Sequence, residues 1–308
     1  MPTDPPIRMV ATDLLEIGFG ESGPQGGPVI LLLHGWPDDP LSWAGVAKHL
    51  NAAGFRTVAP WLRGFGPTCF RIAETIRDGS AEAMAQDALD LMDRLGADRF
   101  AVAGHDWGAR IGYALAALVP DRLQALVALS LPYSPKGAFP IPPFRQSRAW
   151  WYQWFMAVDR GAEAVARDPK GFARLQWETW SPPGWFDEAE FEATAGSFDN
   201  PDWLAITLNS YRSRWRDEPR DPRYDDLRKR IAEVERLSVP TLMIQGEADG
   251  TVLMESSEGK DRYFGGGYHR VVLNGVGHFP TREAPAKVAA AIISHLKQVE
   301  TGGSEPGF

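Results

Sequence analysis

The chemistry that this chain could perform is concentrated in a few short stretches where acids or a histidine sit among glycines. The sharpest is "AGHDWGARIG" at 103–112, with Asp106 at the centre of a Gly-x-Asp-x-Gly pattern. The apolar run Phe100–Val102 leads into it and a helical stretch follows. A strand–turn–helix of this kind strains its central residue, and its glycines permit close backbone approach. It presents that residue at the carboxyl end of a sheet, where open α/β folds bind ligands. The N–H groups of a helix starting at Trp107 face the same point and favour an ionised carboxylate. Without a metal partner, such a carboxylate is a nucleophile toward carbon. The competing structural role for Asp106 is a helix cap.

"QGEADG" (245–250) and "NGVGHFP" (274–280) each follow a predicted strand. Asp249 can orient His278, and His278 can act as general base on water. Either residue alone is unremarkable. Nucleophile, acid and base in that order, each at a strand end, is a far rarer coincidence. "HGWPD" (34–38) also closes a strand. The backbone N–H groups of Trp36 and Trp107 would then form an oxyanion hole, and Pro37 suits a cis bond. His34 and His105 belong to turns and read as structural donors. His49, His269 and His295 fall on surfaces or in regular structure. No spacing of His, Cys or acids suggests a metal, and no glycine-rich phosphate loop suggests a nucleotide, so no cofactor is expected. "GFGPT" (64–68) reads as a structural turn.

These residues need a frame to hold them. Residues 9–19 read as an edge strand or hairpin. "PVILLLHG" (28–35), "FRTVAP" (55–60), "RFAVAG" (99–104) and "LQALVALSL" (123–131) are strands, the longest runs apolar enough for burial on both faces. Helices are expected at 41–53, about 81–95 and from Trp107 through Leu118. This alternation implies a parallel sheet covered on both sides. It breaks at "PYSPKGAFPIPPF" (132–144), a linker by its Pro and Gly content. Residues 145–222 are helical and Trp-rich, without a buried strand. Strands resume at 239–246 and 269–274, and a last helix covers about 283–297. The expected division is a core from 1–136 and 223–308 with an inserted helical cap at 137–222.

Composition sets the outer bounds. At 308 residues and 44% hydrophobic, the chain can bury a sizeable core. Its net charge of −8 argues against nucleic acid or an anionic membrane as partner. The densest basic stretch, 212–230, is interleaved with acids and reads as a solvated face. The single cysteine, Cys69, excludes an internal disulfide and fits a reducing compartment. The start "MPTDPPIRMV" lacks an apolar signal core, no run is long enough to span a membrane, and the tail "TGGSEPGF" reads as mobile; a cytoplasmic location is expected. Eight of the twelve tryptophans lie between 150 and 215, an excess suited to an apolar pocket.

"HGWPD", "GHDWG", "GEADG" and "GVGHFP", in this order, resemble the α/β-hydrolase-fold epoxide hydrolases over roughly residues 10–297. That resemblance implies an α/β-hydrolase fold with a mostly parallel sheet and a helical cap. It also implies a small apolar epoxide and water as substrates, with Asp106 as nucleophile, His278 as base and Asp249 as its orienting acid. Family members place two cap tyrosines above the nucleophile to protonate the epoxide oxygen. "WWYQWF" (150–155) resembles the segment carrying the first, Tyr152, and "LNSYRSRW" (208–215) the segment carrying the second, Tyr211. Trp36, Trp107, Trp151 and Phe279 are expected to line the pocket. Dehalogenases share the aspartate elbow, and the indole N–H groups of Trp107 and Trp36 could hold halide, but they need no tyrosine acid. A non-catalytic binding protein on the same scaffold is the third reading; it fits poorly with a complete set of catalytic residues.

Overall fold

A computed structural model describes residues 6–137, 139 and 141–302. The start and the tail singled out above therefore lie partly outside the described residues. Among the described residues nine strands form one sheet in the order β1-β2-β4-β3-β6-β7-β8-β9, with β5 paired to β2. The hairpin β1 (Arg8–Ala11) and β2 (Leu15–Ser22) and the two-residue β5 (Cys69–Phe70) pair antiparallel. The strands β3 (Val29–Leu33), β4 (Arg56–Pro60), β6 (Phe100–His105), β7 (Leu123–Leu129), β8 (Thr241–Gly246) and β9 (Tyr268–Leu273) run parallel. β5 is the one strand for which the sequence carries no signal: two residues are too few for a period.

Because strand side chains alternate, β3 feeds two cores. Ile30 and Leu32 pack with Val46 and Leu50 of α1 (Ala44–Ala52) and with Val288 and Ile292 of α12 (Pro285–Thr301). Leu31 and Leu33 face the other side, with Met84 and Leu91 of α2 (Ala81–Arg94) and Ile111 and Leu115 of α3 (Trp107–Leu118). α10 (Asp225–Glu233) packs beside α3. α2 starts where Ser80 Oγ accepts the Ala83 N–H, as a short polar side chain at an N-cap does. The last helix begins at Pro285, not 283; residues Pro280–Glu283 form their own turn, α11.

Between β7 and β8 the chain makes α4 (Phe144–Ala149), α5 (Trp151–Ala157), α6 (Asp159–Arg167), α7 (Pro169–Trp180), α8 (Glu188–Ala195) and α9 (Trp203–Arg212). Asp168 and Asp187 cap α7 and α8 by accepting from Gly171 N and Glu190 N. Trp177, Trp180 and Trp203 of these helices are buried, in one continuous core with α2 and α3. This layer meets the loops that follow β3 and β9: Trp177 Nε1 donates to Pro37 O, and the Trp180 ring lies 4.9 Å from that of His278. No helix among the described residues is long and apolar enough to cross a membrane.

Candidate active site

Asp106 stands between β6 and α3 at φ 50°, ψ −108°. A non-glycine residue there stores about 1–3 kcal/mol, which the surrounding structure must over-determine. Its N–H donates to Leu129 O and its carbonyl accepts from Ala109 and Arg110 N–H. The flanking glycines let α3 sit hard on the sheet. A Cβ on Gly104 would lie 2.1 Å from Gly108 O, and one on Gly108 would lie 2.1 Å from Leu33 O. The turn thus has no room for other residues, and its central carboxylate is 7% exposed. Asp106 makes no side-chain hydrogen bond as a helix cap, so the capping alternative does not describe it.

His278 follows β9 and is fully buried. Its Nδ1 lies 2.9 Å from Asp249 Oδ2, and its Nε2 faces Asp106 Oδ2 at 3.9 Å. Asp249 is held by three more donors: Thr251 N and Val252 N on Oδ1, and Gln245 Nε2 on Oδ2. Its acceptor role toward His278 fixes the proton on Nδ1 and leaves Nε2 basic. Burial opposes the charged ring, but the charge and hydrogen bond of Asp249, with Asp106 adding, hold His278 above its ordinary value. The loop itself is pinned. Ser181 Oγ accepts from His278 N, Glu283 accepts from Gly277 N and Phe279 N, and His105 Nε2 and Ser130 Oγ donate to His278 O.

The Trp36 N–H donates to Asp106 Oδ1 at 3.0 Å, so one expected oxyanion donor already touches the nucleophile. The Trp107 N–H opens α3 and has no protein acceptor among the described residues. The Trp36–Pro37 bond is cis. His34 accepts from Leu62 N on Nε2 and donates from Nδ1 to Gly35 O. Burial lowers both His34 and His105 to about 4, keeping them neutral as structural donors. Asp38, next in this loop, binds Arg282 through Arg282 Nη2 at 2.6 Å, and Arg282 also lies 4.9 Å from the Trp177 ring. That pair ties the loop to α7 and α11.

Tyr152 on α5 and Tyr211 on α9 converge above this floor, with ring centres 5.4 Å apart and Trp36 beside both. Trp107 Nε1 donates to Tyr211 OH at 3.1 Å; Gln153 Nε2 and Thr251 Oγ1 donate to Tyr152 OH at 3.2 and 3.4 Å. Each phenol oxygen therefore accepts from the protein, which leaves its own hydrogen to donate elsewhere. Burial, then the charge of Asp106, pushes Tyr152 up to about 12. Burial also raises Tyr211 well above its ordinary value, with Tyr152 and Asp106 adding. Both phenols are protonated at neutral pH. A cavity of about 1010 Å³ lined by Trp107, Arg110, Tyr113 and Arg214 lies on the α3 side; Asp106, Tyr152, Tyr211 and His278 do not line it.

Two expected pocket residues are not brought to this point. Trp151 is 38% exposed and packs on Phe155 and Phe172; its position one residue from Tyr152 turns it to another face of α5. Phe279 is fully buried under His278, against Trp177, Trp180 and Trp185. Gln153, Thr251, Ser181 and Glu283 were not singled out from the sequence. Gln153 is adjacent to Tyr152 and Thr251 stands two residues after Asp249, so a polar residue close to a site residue is the signal that could have found them. Ser181 and Glu283 act across sequence separations that no local pattern signals. Among the described residues no three His, Cys or acids are grouped to hold a metal.

Comparison with known proteins places this geometry. The family model described as alpha/beta hydrolase fold matches residues 28–285. The crystal structure of a candidate epoxide hydrolase from Klebsiella pneumoniae superposes with a TM-score of 0.88 at 36% identity, covering 94% of this chain and 97% of that one. Epoxide hydrolase A of Mycobacterium tuberculosis is 27% identical over 332 residues, covering 96% of this chain and 98% of its own. Epoxide Hydrolase A from Mycobacterium thermoresistibile superposes with a TM-score of 0.78 at 26% identity, over 95% and 98% of the two chains. With an aspartate elbow, a histidine–aspartate pair and two buried tyrosines within that fold, the chain belongs to the α/β-hydrolase fold family and, inside it, to the epoxide hydrolases.

Proposed function

We propose that the chain hydrolyses small apolar epoxides to vicinal diols through an ester on Asp106. An Asp106 oxygen attacks an oxirane carbon while the ring C–O bond breaks. The oxygen released takes a proton from Tyr152 or Tyr211, and the other tyrosine donates a hydrogen bond to it. A hydroxyalkyl ester results. His278 then takes a proton from a water molecule whose oxygen attacks the ester carbonyl carbon. The N–H groups of Trp36 and Trp107 receive the oxyanion. Collapse frees the diol and restores Asp106, and the proton on His278 balances the one the tyrosine gave up. Residues 137–222 act as the cap that carries both tyrosines over the nucleophile.

The observation that carries this reading is that Asp106 and His278 face each other at 3.9 Å while Trp36, whose N–H touches Asp106, lies beside both buried tyrosine rings. Ester formation also prepares the second step. Esterification removes the negative charge of Asp106, one of the influences that raise His278, so the ring is more fully deprotonated when a base is required. The dehalogenase reading loses support at the indoles. Trp36 Nε1 is engaged by Thr207 at 3.0 Å and Trp107 Nε1 by Tyr211, and halide loss gives the tyrosines nothing to protonate.

His278→Gln incubated with styrene oxide tests the scheme. The intact protein should gain the mass of one substrate, carried on the peptide that contains Asp106. A variant that stays unmodified while the wild type makes diol would overturn the covalent route.

A further inference from the structure

Tyrosines pushed up by burial and by a neighbouring carboxylate are poor acids, yet the reaction asks one of them for its proton. The site contains one group placed to oppose this. Arg214, two residues past α9, lies with its guanidinium carbon 4.5 Å from the centre of the Tyr211 ring. Its Nη1 donates to Gln153 Oε1 at 3.0 Å, and the same Gln153 amide donates from Nε2 to Tyr152 OH. One cation thus touches the first phenol by its ring face and the second through a single polarisable amide.

Arg214 is not neutralised by the protein. No carboxylate pairs with it among the described residues, and its Nε is shut from solvent with no hydrogen-bond partner. Phe139 covers it at 5.3 Å and also lies 5.7 Å from the Arg110 guanidinium carbon. Burial, then the charge of Arg110, pulls Arg214 down to about 9. Asp106 acts on it as a charge, but a cation kept here without a paired anion is costly unless negative charge arises beside it. Such charge arises when a phenol becomes a phenolate. The two tyrosines are the groups next to Arg214 that can do so.

We propose that Arg214 is a positioning residue that lowers the cost of proton donation by Tyr152 and Tyr211 in epoxide opening. This rests on the epoxide reading above. As the Asp106 oxygen bonds to the oxirane carbon, the C–O electron pair passes to the ring oxygen, which takes the phenolic proton. The phenolate left behind is stabilised by Arg214 until it recovers a proton. Gln153 passes the effect to Tyr152: the more strongly its carbonyl is held by the guanidinium, the stronger a donor its amide becomes. The ester-hydrolysis step, at His278, receives no such help.

Stopped-flow tryptophan fluorescence with styrene oxide separates ester formation from ester hydrolysis. Arg214→Met should slow ester formation about tenfold or more and change ester hydrolysis less than about threefold. Arg214→Lys should recover part of the loss. In a Tyr211→Phe background the Arg214→Met penalty should shrink, because the group it acts on is gone. Equal slowing of both steps, or an undiminished penalty in Tyr211→Phe, would show a merely structural residue and overturn the proposal. So would a penalty confined to carboxylate-bearing epoxides, which would make Arg214 an anion seat. Should Arg214→Met fail to fold, Gln153→Leu cuts the bridge to Tyr152 and must slow ester formation selectively for the proposal to survive. A wild type that forms no ester with styrene oxide or with a panel of other epoxides would instead defeat the epoxide reading, and this inference with it.

Discussion

The floor and the ceiling of this site are built by different means. The floor, Asp106 with His278 and Asp249, stands at the ends of three parallel strands, and backbone groups hold it, together with the side chains of Gln245, Ser181 and Glu283. Leu129 O fixes the Asp106 amide, Thr251 and Val252 N–H groups fix Asp249, and Trp180 O accepts from His278 N. The ceiling, Tyr152 and Tyr211, stands on helices joined to the floor largely through side chains: Trp107 to Tyr211, Thr251 to Tyr152, and a cluster of indoles. Backbone anchoring ties function to the fold itself, whereas side-chain anchoring leaves a surface that substitutions can retune. On the proposed scheme the floor sets the reaction, and the ceiling sets which leaving oxygen is accepted.

The sharpest way to separate the two is to remove the floor's nucleophile. Asp106→Asn keeps the shape of the elbow and removes the attacking charge. Turnover of styrene oxide should fall by about 10⁴-fold or more, as loss of a covalent nucleophile does, and no ester should form. Gas chromatography of the diol and intact mass together check this. A residual rate within a hundredfold of wild type would mean that the ceiling alone activates water.

Asp249→Asn probes the floor one step back from the reacting atoms, and a loss of about 10³-fold in kcat is expected. Its pH profile is the more telling result. His278 must be neutral to take a proton, so activity is lost as pH falls through its pKa. That pKa is held above the ordinary 6.5, with Asp249 the chief raising influence. The acid limb of kcat, which reads ester hydrolysis, should therefore lie at lower pH in Asp249→Asn than in the wild type. Movement to higher pH would contradict the assigned pairing. The ceiling predicts the opposite end of the profile: with Tyr152 near 12, no alkaline limb from that phenol should be seen below about pH 10.

Floor and ceiling also differed in how far the sequence revealed them. Gly104, Asp106 and Gly108 are legible because the steric demand is local: three residues within five positions must satisfy one turn. The strands were legible as apolar runs, and β8 and β9 placed Asp249 and His278 at their ends. β5 was not, since two residues that pair with β2 leave no pattern. In the inserted helices α4 to α9, the helices were readable but not their facing. Tyr152 and Tyr211 emerged from family resemblance, not from spacing, because nothing in "WWYQWF" says which aromatic looks inward. Phe279 and Trp151 were both expected in the pocket, and the same lack of a facing signal left their placement open.

Replacing the tyrosines tests whether the ceiling works as a pair. Tyr152→Phe and Tyr211→Phe should each lower kcat/KM for styrene oxide about 10- to 100-fold, since the remaining hydroxyl can still donate. The double variant should lose more than either, with the deficit in ester formation and none in ester hydrolysis. If one single variant matched the double, a single phenol would be the acid and the other only packing.

The smallest effect is the most direct test of facing. Trp151 and Tyr152 are adjacent in sequence, but about 100° apart around α5, and Trp151 is 38% exposed where Tyr152 is 3% exposed. Trp151→Ala should change kcat/KM for styrene oxide by less than about threefold. It should cost little stability, since half-exposed positions away from the core seldom matter much. A loss comparable to that of Tyr152→Phe would mean that α5 turns its Trp151 face to substrate during turnover. The ceiling would then be a moving part rather than a fixed pair of donors. Trp151→Ala assayed against both a small aliphatic epoxide and styrene oxide separates the cases: a fixed ceiling leaves the ratio of the two rates unchanged, whereas a turning helix alters it.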